Sequence, residues 1–237
     1  MNGTFYKRQS PATFAAWAAA TPDRFLFTLK GGRFCTNRKM LADAGEAVRN
    51  FVTQGIAELG PKLGPIVWQL ADTKRFDPDD IAAFFALLPR AEAGVPLRHA
   101  LEPRHESFRC PEFVALARAA GMAIVLDHAD KYPLIADQSG GFTYLRLQCH
   151  QEDEPTGYPA PELDRWAERI REWSRGESPS DLPLAAPSLP PGPRDVFAFV
   201  IGGAKLRAPA AASALAERLE LEEWRTRNDS NVRPSDS

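Results

Sequence analysis

The sequence predicts an α/β protein built as a TIM-type (β/α) barrel. Short apolar runs alternate with longer segments of helical period along nearly all of the 237 residues. Repeated strand–helix units imply right-handed crossovers and a parallel sheet, and seven or eight units in one chain indicate a barrel. A doubly wound open sheet is the runner-up, but no glycine-rich turn follows the first strand to support a dinucleotide site.

Seven strands are expected from runs of apolar, β-branched and aromatic residues. The first, NGTFY, is interpreted as the tail of a strand at residues 2–6. The others are RFLFTLK (24–30), PIVWQL (65–70), PLRHALE (96–102), MAIVLD (122–127), FTYLRLQ (142–148) and DVFAFVI (195–201).

Helices are predicted between these strands from apolar residues at helical spacing. The helix after the strand at 65–70 has Asp77 as its expected N-cap and Pro78 at its first position. The other helices are expected near 11–20 and at 43–59, 111–120, 161–173 and 208–224. Together they indicate one barrel domain at 1–224.

Two segments lie outside this scheme. The stretch 175–195 is rich in Pro and Ser and is predicted to be a long mobile loop. The polar stretch 225–237 cannot bury enough apolar surface to order itself and is predicted to be a disordered tail.

Composition excludes several classes of protein. A net charge of −2 provides no overall basic field for nucleic acid or anionic membranes, although a local basic pocket is compatible with it. Three scattered cysteines argue against a disulfide framework or a zinc site and favour reduced thiols in a cytoplasmic protein. No apolar run is long enough to span a membrane, and the N-terminus has no signal-peptide core. The best metal-like cluster is DHAD at 127–130, which is better interpreted as a solvated loop, so neither a metal site nor a cofactor is predicted.

Polar residues gather where the expected strands end. Side chains alternate across a strand, so each strand has an apolar face for the helices and a mixed face for the barrel interior. Ligand sites of such barrels lie at the rim formed by the carboxyl ends of the strands. The residues expected at this rim are Lys30, Gln69, Glu102, Arg104, His105, Asp127 and Arg146.

These residue types indicate binding of an anionic, phosphate-bearing ligand, either a small molecule or a nucleic-acid backbone. Lys30, Arg104 and Arg146 would hold the anion, because guanidinium groups match planar oxyanions. Glu102 or Asp127, with His105, would act as general acid or base in a hydrolase or lyase. Two alternatives remain open: the charges satisfy one another as a core network, or the barrel binds a ligand or partner without catalysis.

Six motifs in the right order resemble the YecE-like proteins, domain-of-unknown-function family 72. They are NGTFY, TNRK, LGPIVWQL, ALEPRHESF, TYLRL and LDRWAERI. The resemblance covers residues 1 to about 220 and implies a TIM-type barrel, while it implies no established activity. Its motifs match Asn2, Tyr6, Lys30, Gln69, Glu102, Arg104, His105 and Arg146.

The chain departs from the family pattern at Asn37, Ala71, Asp72, Phe108, Gln148, Cys149 and the IGGAK stretch at 201–205. The changes at 37, 148 and 202–203 lie at the presumed rim. A divergent or inactive member is therefore left open. The family motif at NGTFY also continues upstream through a further strand–helix unit. We therefore expect the barrel to lack its first unit, leaving the strands at 2–6 and 195–201 with open edges for aggregation or self-association of an otherwise monomeric protein.

Overall fold

The structure, a computed structural model, describes residues 1–202 and 206–220. It confirms an α/β fold with a parallel sheet. The strands in chain order are β1 (Phe27–Lys30), β2 (Leu63–Gln69), β3 (Ala91–Glu92), β4 (Val95–Pro96), β5 (His99–Glu102), β6 (Ala123–His128), β7 (Phe142–Leu147) and β8 (Asp195–Val200). β3 and β4 form a small antiparallel hairpin.

The remaining six strands form one parallel sheet in the order β1-β2-β5-β6-β7-β8, curled into a half-barrel. Among the described residues the two edge strands, β1 and β8, do not pair with each other. The coarse prediction of a parallel α/β sheet is confirmed, whereas these residues do not form a full TIM barrel.

Helices connect and flank the strands. They are α1 (Gly3–Tyr6), α2 (Pro11–Ala19), α3 (Arg33–Thr36), α4 (Gly45–Val52), α5 (Pro78–Leu87), α6 (Pro111–Ala120), α7 (Ala160–Arg175) and α8 (Ala208–Arg218), with 3-10 turns at Leu41–Ala44, Ile56–Lys62 and Glu106–Phe108. The Asp77 cap is confirmed, because its carboxylate accepts from the backbone N–H groups of Asp79 and Asp80. No helix in the described ranges is long and apolar enough to cross a membrane. The expected tail at 225–237 lies outside the described residues.

The strand expected at residues 2–6 is wrong, since Gly3–Tyr6 forms the one-turn helix α1. A side chain holds this turn in place. The Thr4 hydroxyl lies 3.0 Å from the carbonyl oxygen of Met1 and 2.8 Å from that of Lys30. Only Met1 pairs with the edge of β1, where the Lys30 N–H donates to its carbonyl at 3.3 Å. The sheet therefore has six strands where seven were expected.

The single helix expected at 43–59 is divided into three shorter pieces. Gly55 has a left-handed φ of 111°, which ends the helical run. A Cβ at this position would lie 2.6 Å from the Cα of Pro11, so the close approach of α2 requires glycine there.

The two faces of the sheet differ as the alternation predicts. The outer face is apolar: Leu29, Ile66 and Trp68 pack with helices α2 to α6. Leu145 and Leu147 pack with α7 and α8. The inner face mixes apolar residues such as Val67 and Tyr144 with charged residues, which are concentrated at one end.

The Pro-rich segment has no helix or strand between α7 and β8, yet it contacts the barrel at several points. The buried carboxylate of Asp137 accepts from the N–H groups of Ala185 and Ala186, both at 2.9 Å. Arg169 on α7 pairs with Asp181 at 2.7 Å. The predicted mobility is untested, and these contacts identify what restrains the loop.

We expect Asp137→Ala to release this loop, because two backbone donors lose a buried acceptor at a cost of about 1–3 kcal/mol each when left unsatisfied. Limited proteolysis followed by mass spectrometry should then show faster cleavage within 177–194. Asp181→Ala is the matched control, because its exposed pair with Arg169 contributes only about 0–1 kcal/mol. Equal cleavage of wild type and Asp137→Ala would contradict this account of the restraint.

Candidate functional site

Strand register brings the predicted rim residues to one end of the sheet. In a parallel sheet all carboxyl ends meet at the same edge. Gln69 lies directly beside Glu102 across β2 and β5, and Asp127 lies beside Arg146 across β6 and β7. Lys30 ends β1 at the same edge.

Glu102 is the centre of this group. Its side chain is completely buried. Gln69 donates to Oε1 at 2.7 Å, and Arg104 donates to the same oxygen from both Nε and Nη2 at 2.8 Å. Arg146 donates to Oε2 through Nη1. A buried carboxylate is costly without such partners, so these three residues compensate for the burial of Glu102.

Asp127 lies next to this network and is much less satisfied. It is also fully buried. Its Oδ1 accepts a hydrogen bond from Gln148, while Oδ2 has no hydrogen-bond partner among the described residues. Burial, and then the nearby negative charge of Glu102, raise the pKa of Asp127 to about 6. Asp127 can therefore exchange a proton near neutral pH.

Lys30 lines a cavity of ≈ 140 Å³ with Asn2, Glu102, Tyr144 and Arg146. Burial lowers the pKa of Lys30 to about 8; the Glu102 carboxylate opposes this shift, and the two nearby guanidinium groups add to it. The lysine ammonium lies 4.0 Å from the centre of the Phe5 ring. The cavity is smaller than an apolar groove of ≈ 510 Å³ between α5 and α6, but four predicted site residues line it: Asn2, Lys30, Glu102 and Arg146. Gln69, Arg104 and Asp127 belong to the surrounding network and do not line the cavity.

Two predicted site residues lie elsewhere. The Nδ1 atom of His105 accepts from the Ser107 N–H at 3.1 Å, and its Nε2 lies 3.5 Å from Arg75. His105 thus caps the 3-10 turn at 106–108 and does not line the Lys30 cavity. Tyr6 is 66% exposed and lines a separate groove between α1 and α3.

Sequence reasoning missed several neighbours of the site. Tyr144 lines the cavity, and its hydroxyl lies 3.4 Å from that of Thr28. Side-chain alternation along β7 places Tyr144 on the same face as Arg146, so the sequence pattern could have identified Tyr144 as a neighbour of the site. Tyr132 lies under the guanidinium of Arg104, 4.3 Å from ring centre to Cζ, and comes from a loop without a recognisable pattern.

The DHAD segment at 127–130 is only partly the solvated loop that was expected, because Asp127 and His128 belong to β6. His128 ends β6, and its half-buried ring packs beside Tyr158 and Trp166, with Nε2 3.9 Å from Glu162. Within residues 1–202 and 206–220, no group of three or more His, Cys, Asp or Glu side chains is arranged to hold a metal ion.

We expect Arg146→Ala to lower the free energy of unfolding by about 3 kcal/mol, at the lower end of the range for breaking a buried ion pair, because Glu102 keeps Arg104 and Gln69. Urea denaturation measures this change. Arg98→Ala removes a more exposed pair with Asp195 and is the control. An equal loss in both variants would show that the buried ion pair contributes no more to the free energy of unfolding than the exposed one.

Asp127 should make stability depend on pH. Because its folded pKa is raised, its stabilising contribution is complete below about pH 4 and is lost as the pH rises through about 6. The shift of roughly two units corresponds to about 3 kcal/mol. Urea denaturation at several pH values should show that Asp127→Asn gains stability over wild type as the pH rises, whereas the exposed Asp72→Asn does not. A constant difference between Asp127→Asn and wild type would contradict the raised pKa.

Similar proteins were found by family and by structure. Two crystal structures of a DUF72 family protein (EF0366) from Enterococcus faecalis V583 share 15% identity with the chain. One gives a TM-score of 0.68 and covers 93% of this chain and 83% of that one; the other gives 0.69 and covers 93% and 88%. A DUF72 family protein (TM1631) from Thermotoga maritima MSB8 shares 19% identity and gives a TM-score of 0.62, covering 92% and 82%. These similarities show the fold.

No curated protein sequence matches the chain. The family model described as "Protein of unknown function DUF72" matches residues 1–235, so the chain belongs to the DUF72 family, for which YecE-like is another name.

Proposed function

We propose that the chain binds a small anionic, phosphate-bearing ligand at the carboxyl-end rim of its sheet. The balance of charge around the Lys30 cavity supports this most strongly. Three cationic side chains, Lys30, Arg104 and Arg146, lie around Glu102, and the raised pKa of Asp127 leaves that second carboxyl group partly neutral near pH 6. The group therefore has an excess of positive charge in a partly buried place, where an anion is attracted strongly.

The arginines keep donors for such a ligand. A guanidinium has five N–H donors. Arg104 uses two of them on Glu102 and Arg146 uses one. The remaining donors lie in a planar arrangement that matches a phosphate or carboxylate group, and both side chains are partly accessible, at 19% and 15%.

Catalysis as a hydrolase or lyase would depend mainly on Asp127. Glu102 is occupied by its three donors and His105 caps a turn through its ring nitrogen, so both earlier candidates are poorly placed for proton transfer. Asp127 does not line the cavity itself but lies beside Arg146, which does. A carboxyl group with a pKa of about 6 can serve as acid or base near neutral pH. The occupied Glu102 also supports the second candidate function, a barrel that binds its ligand without turnover.

A nucleic-acid backbone is the other source of phosphate. The groove between α1 and α3 has a volume of ≈ 350 Å³ and is lined by Tyr6, Lys7, Arg8, Phe34 and Arg38 among others. Exposed aromatic rings beside cations are typical of surfaces that bind single strands. Short oligonucleotides therefore belong in the ligand set of the binding experiment.

The location and assembly of the protein are also proposals. We propose a cytoplasmic monomer that self-associates through the open edges of its sheet at high concentration. The three cysteines are unpaired in the structure, as expected of a reducing compartment. Sedimentation at increasing protein concentration tests the assembly.

We expect inorganic phosphate or pyrophosphate at 100 times its dissociation constant to add about 2.7 kcal/mol to the free energy of unfolding. Thermal shift with and without divalent metals measures this, and assays for turnover of the binding compound separate enzyme from binder.

Lys30→Gln should weaken binding with little loss of stability, because Lys30 has no ion pair among the described residues. Wild-type affinity should fall as the pH rises through about 8, where Lys30 loses its charge.

Arg75→Gln is the matched control for charge, since Arg75 lies outside the Lys30 cavity. Equal affinity of Lys30→Gln and Arg75→Gln for phosphate would contradict the proposed site. Absence of any anion-dependent shift in the wild type would contradict the proposed function itself.

A further inference from the structure

Lys30 differs from the other charged groups of the network in having no polar partner. Among the described residues its amine makes no hydrogen bond or ion pair, and its recorded contact is with the Phe5 ring. The oxygens of Glu102 are already used by Gln69, Arg104 and Arg146. A half-buried ammonium without its own counter-ion is destabilised relative to the neutral amine.

The neighbouring groups give this amine a place to react. The side chain lines the ≈ 140 Å³ cavity, which is large enough for a short metabolite. Arg146 on one wall offers unused N–H donors to an anionic group, and the Tyr144 hydroxyl on the same wall can donate to a carbonyl oxygen. Burial raises the pKa of Tyr144 to about 12, so this hydroxyl keeps its proton.

We propose that Lys30 is a nucleophile that forms a Schiff base with a short aldehyde or ketone bearing a phosphate group. The proposal rests on the anion site proposed above and names its substrate class. Lysines used in this way are desolvated or lie beside other cations, and Lys30 satisfies both conditions, since burial and the two guanidinium groups each favour its neutral form.

The reaction is balanced without any further reagent. The lone pair of the Lys30 Nζ attacks the carbonyl carbon, and the C=O π bond becomes a C–O⁻ group that takes up a proton to give the carbinolamine. One proton then passes from the nitrogen to the hydroxyl group, which leaves as one molecule of water as the C=N bond of the protonated imine forms, so the net reaction takes up one proton from solvent. Phosphate held by Arg146 on the cavity wall would keep the carbonyl group near the amine.

The groups that face Lys30 set the pH at which it reacts. Glu102 from β5 favours the protonated form, and Arg146 from β7 and Arg104 after β5 oppose it. The amino group of Met1 interacts with Lys30 as a further positive charge, and Tyr144 contributes a neutral hydroxyl. The amine is expected to become available as the pH rises through about 8.

The test is reductive trapping with glycolaldehyde phosphate and sodium borohydride, read by intact mass and peptide mapping. We expect one adduct on Lys30, formed with a half-maximal rate at a pH of about 8. Adducts on the surface lysines Lys7 and Lys39 should be fewer, because neither lines the cavity. Glycolaldehyde, which lacks the phosphate, should be trapped more slowly at Lys30.

Lys30→Arg is the decisive variant, because it keeps the positive charge but cannot form an imine. We expect it to lose the adduct and to keep the thermal shift with inorganic phosphate, whereas the control Lys39→Arg, at an exposed lysine, keeps both. Adducts spread evenly over the lysines of the wild type, or none on Lys30 while phosphate still stabilises the protein, would overturn this inference and leave the anion site intact. Equal trapping of glycolaldehyde and its phosphate would overturn the assignment of phosphate-bearing substrates to Lys30, whereas the proposed function is overturned separately, by absence of the phosphate-dependent thermal shift in the wild type.

Discussion

The buried carboxylate of Glu102 is the constraint on which the rim of this protein depends. A charge with no exposure to water must be matched by donors, and here one amide and two guanidinium groups supply them. These donors come from β2, from the chain after β5 and from β7, so one carboxylate ties together strands that are distant in sequence. Removing a partner disturbs the fold and the site together.

The same pairing decides which groups remain available for chemistry. Because Arg104 and Arg146 are committed to Glu102, Lys30 is left without a counter-ion and Asp127 without a full set of donors. The first group has its pKa lowered and the second has its pKa raised, and both then titrate closer to neutrality. Perturbed pairs of this kind are typical of functional sites, although structural networks also produce them.

The curl of the sheet gives this polar network its position. The outer face carries the apolar residues and is covered by helices, whereas the inner face is shared by aromatic residues and charges. Parallel strands place all their carboxyl ends at one edge, so the polar residues at the ends of β1, β2, β5, β6 and β7 can meet there. The Pro-rich segment is held by hydrogen bonds to Asp137, a restraint that its composition alone does not suggest.

The sequence by itself determined the parallel α/β class, most of the strands and the residues of the network, because apolar periodicity and polar strand ends are local patterns. It did not determine that residues 3–6 form a helix, which depends on the Thr4 hydroxyl reaching the end of β1. Nor did it show that His105 caps a turn, because the sequence around His105 does not reveal whether the ring faces the cavity or the backbone. The tertiary structure also decided which charges pair. Glu102 could have met any of several cations, and only the curl of the sheet brought Arg146 to it and left Lys30 alone.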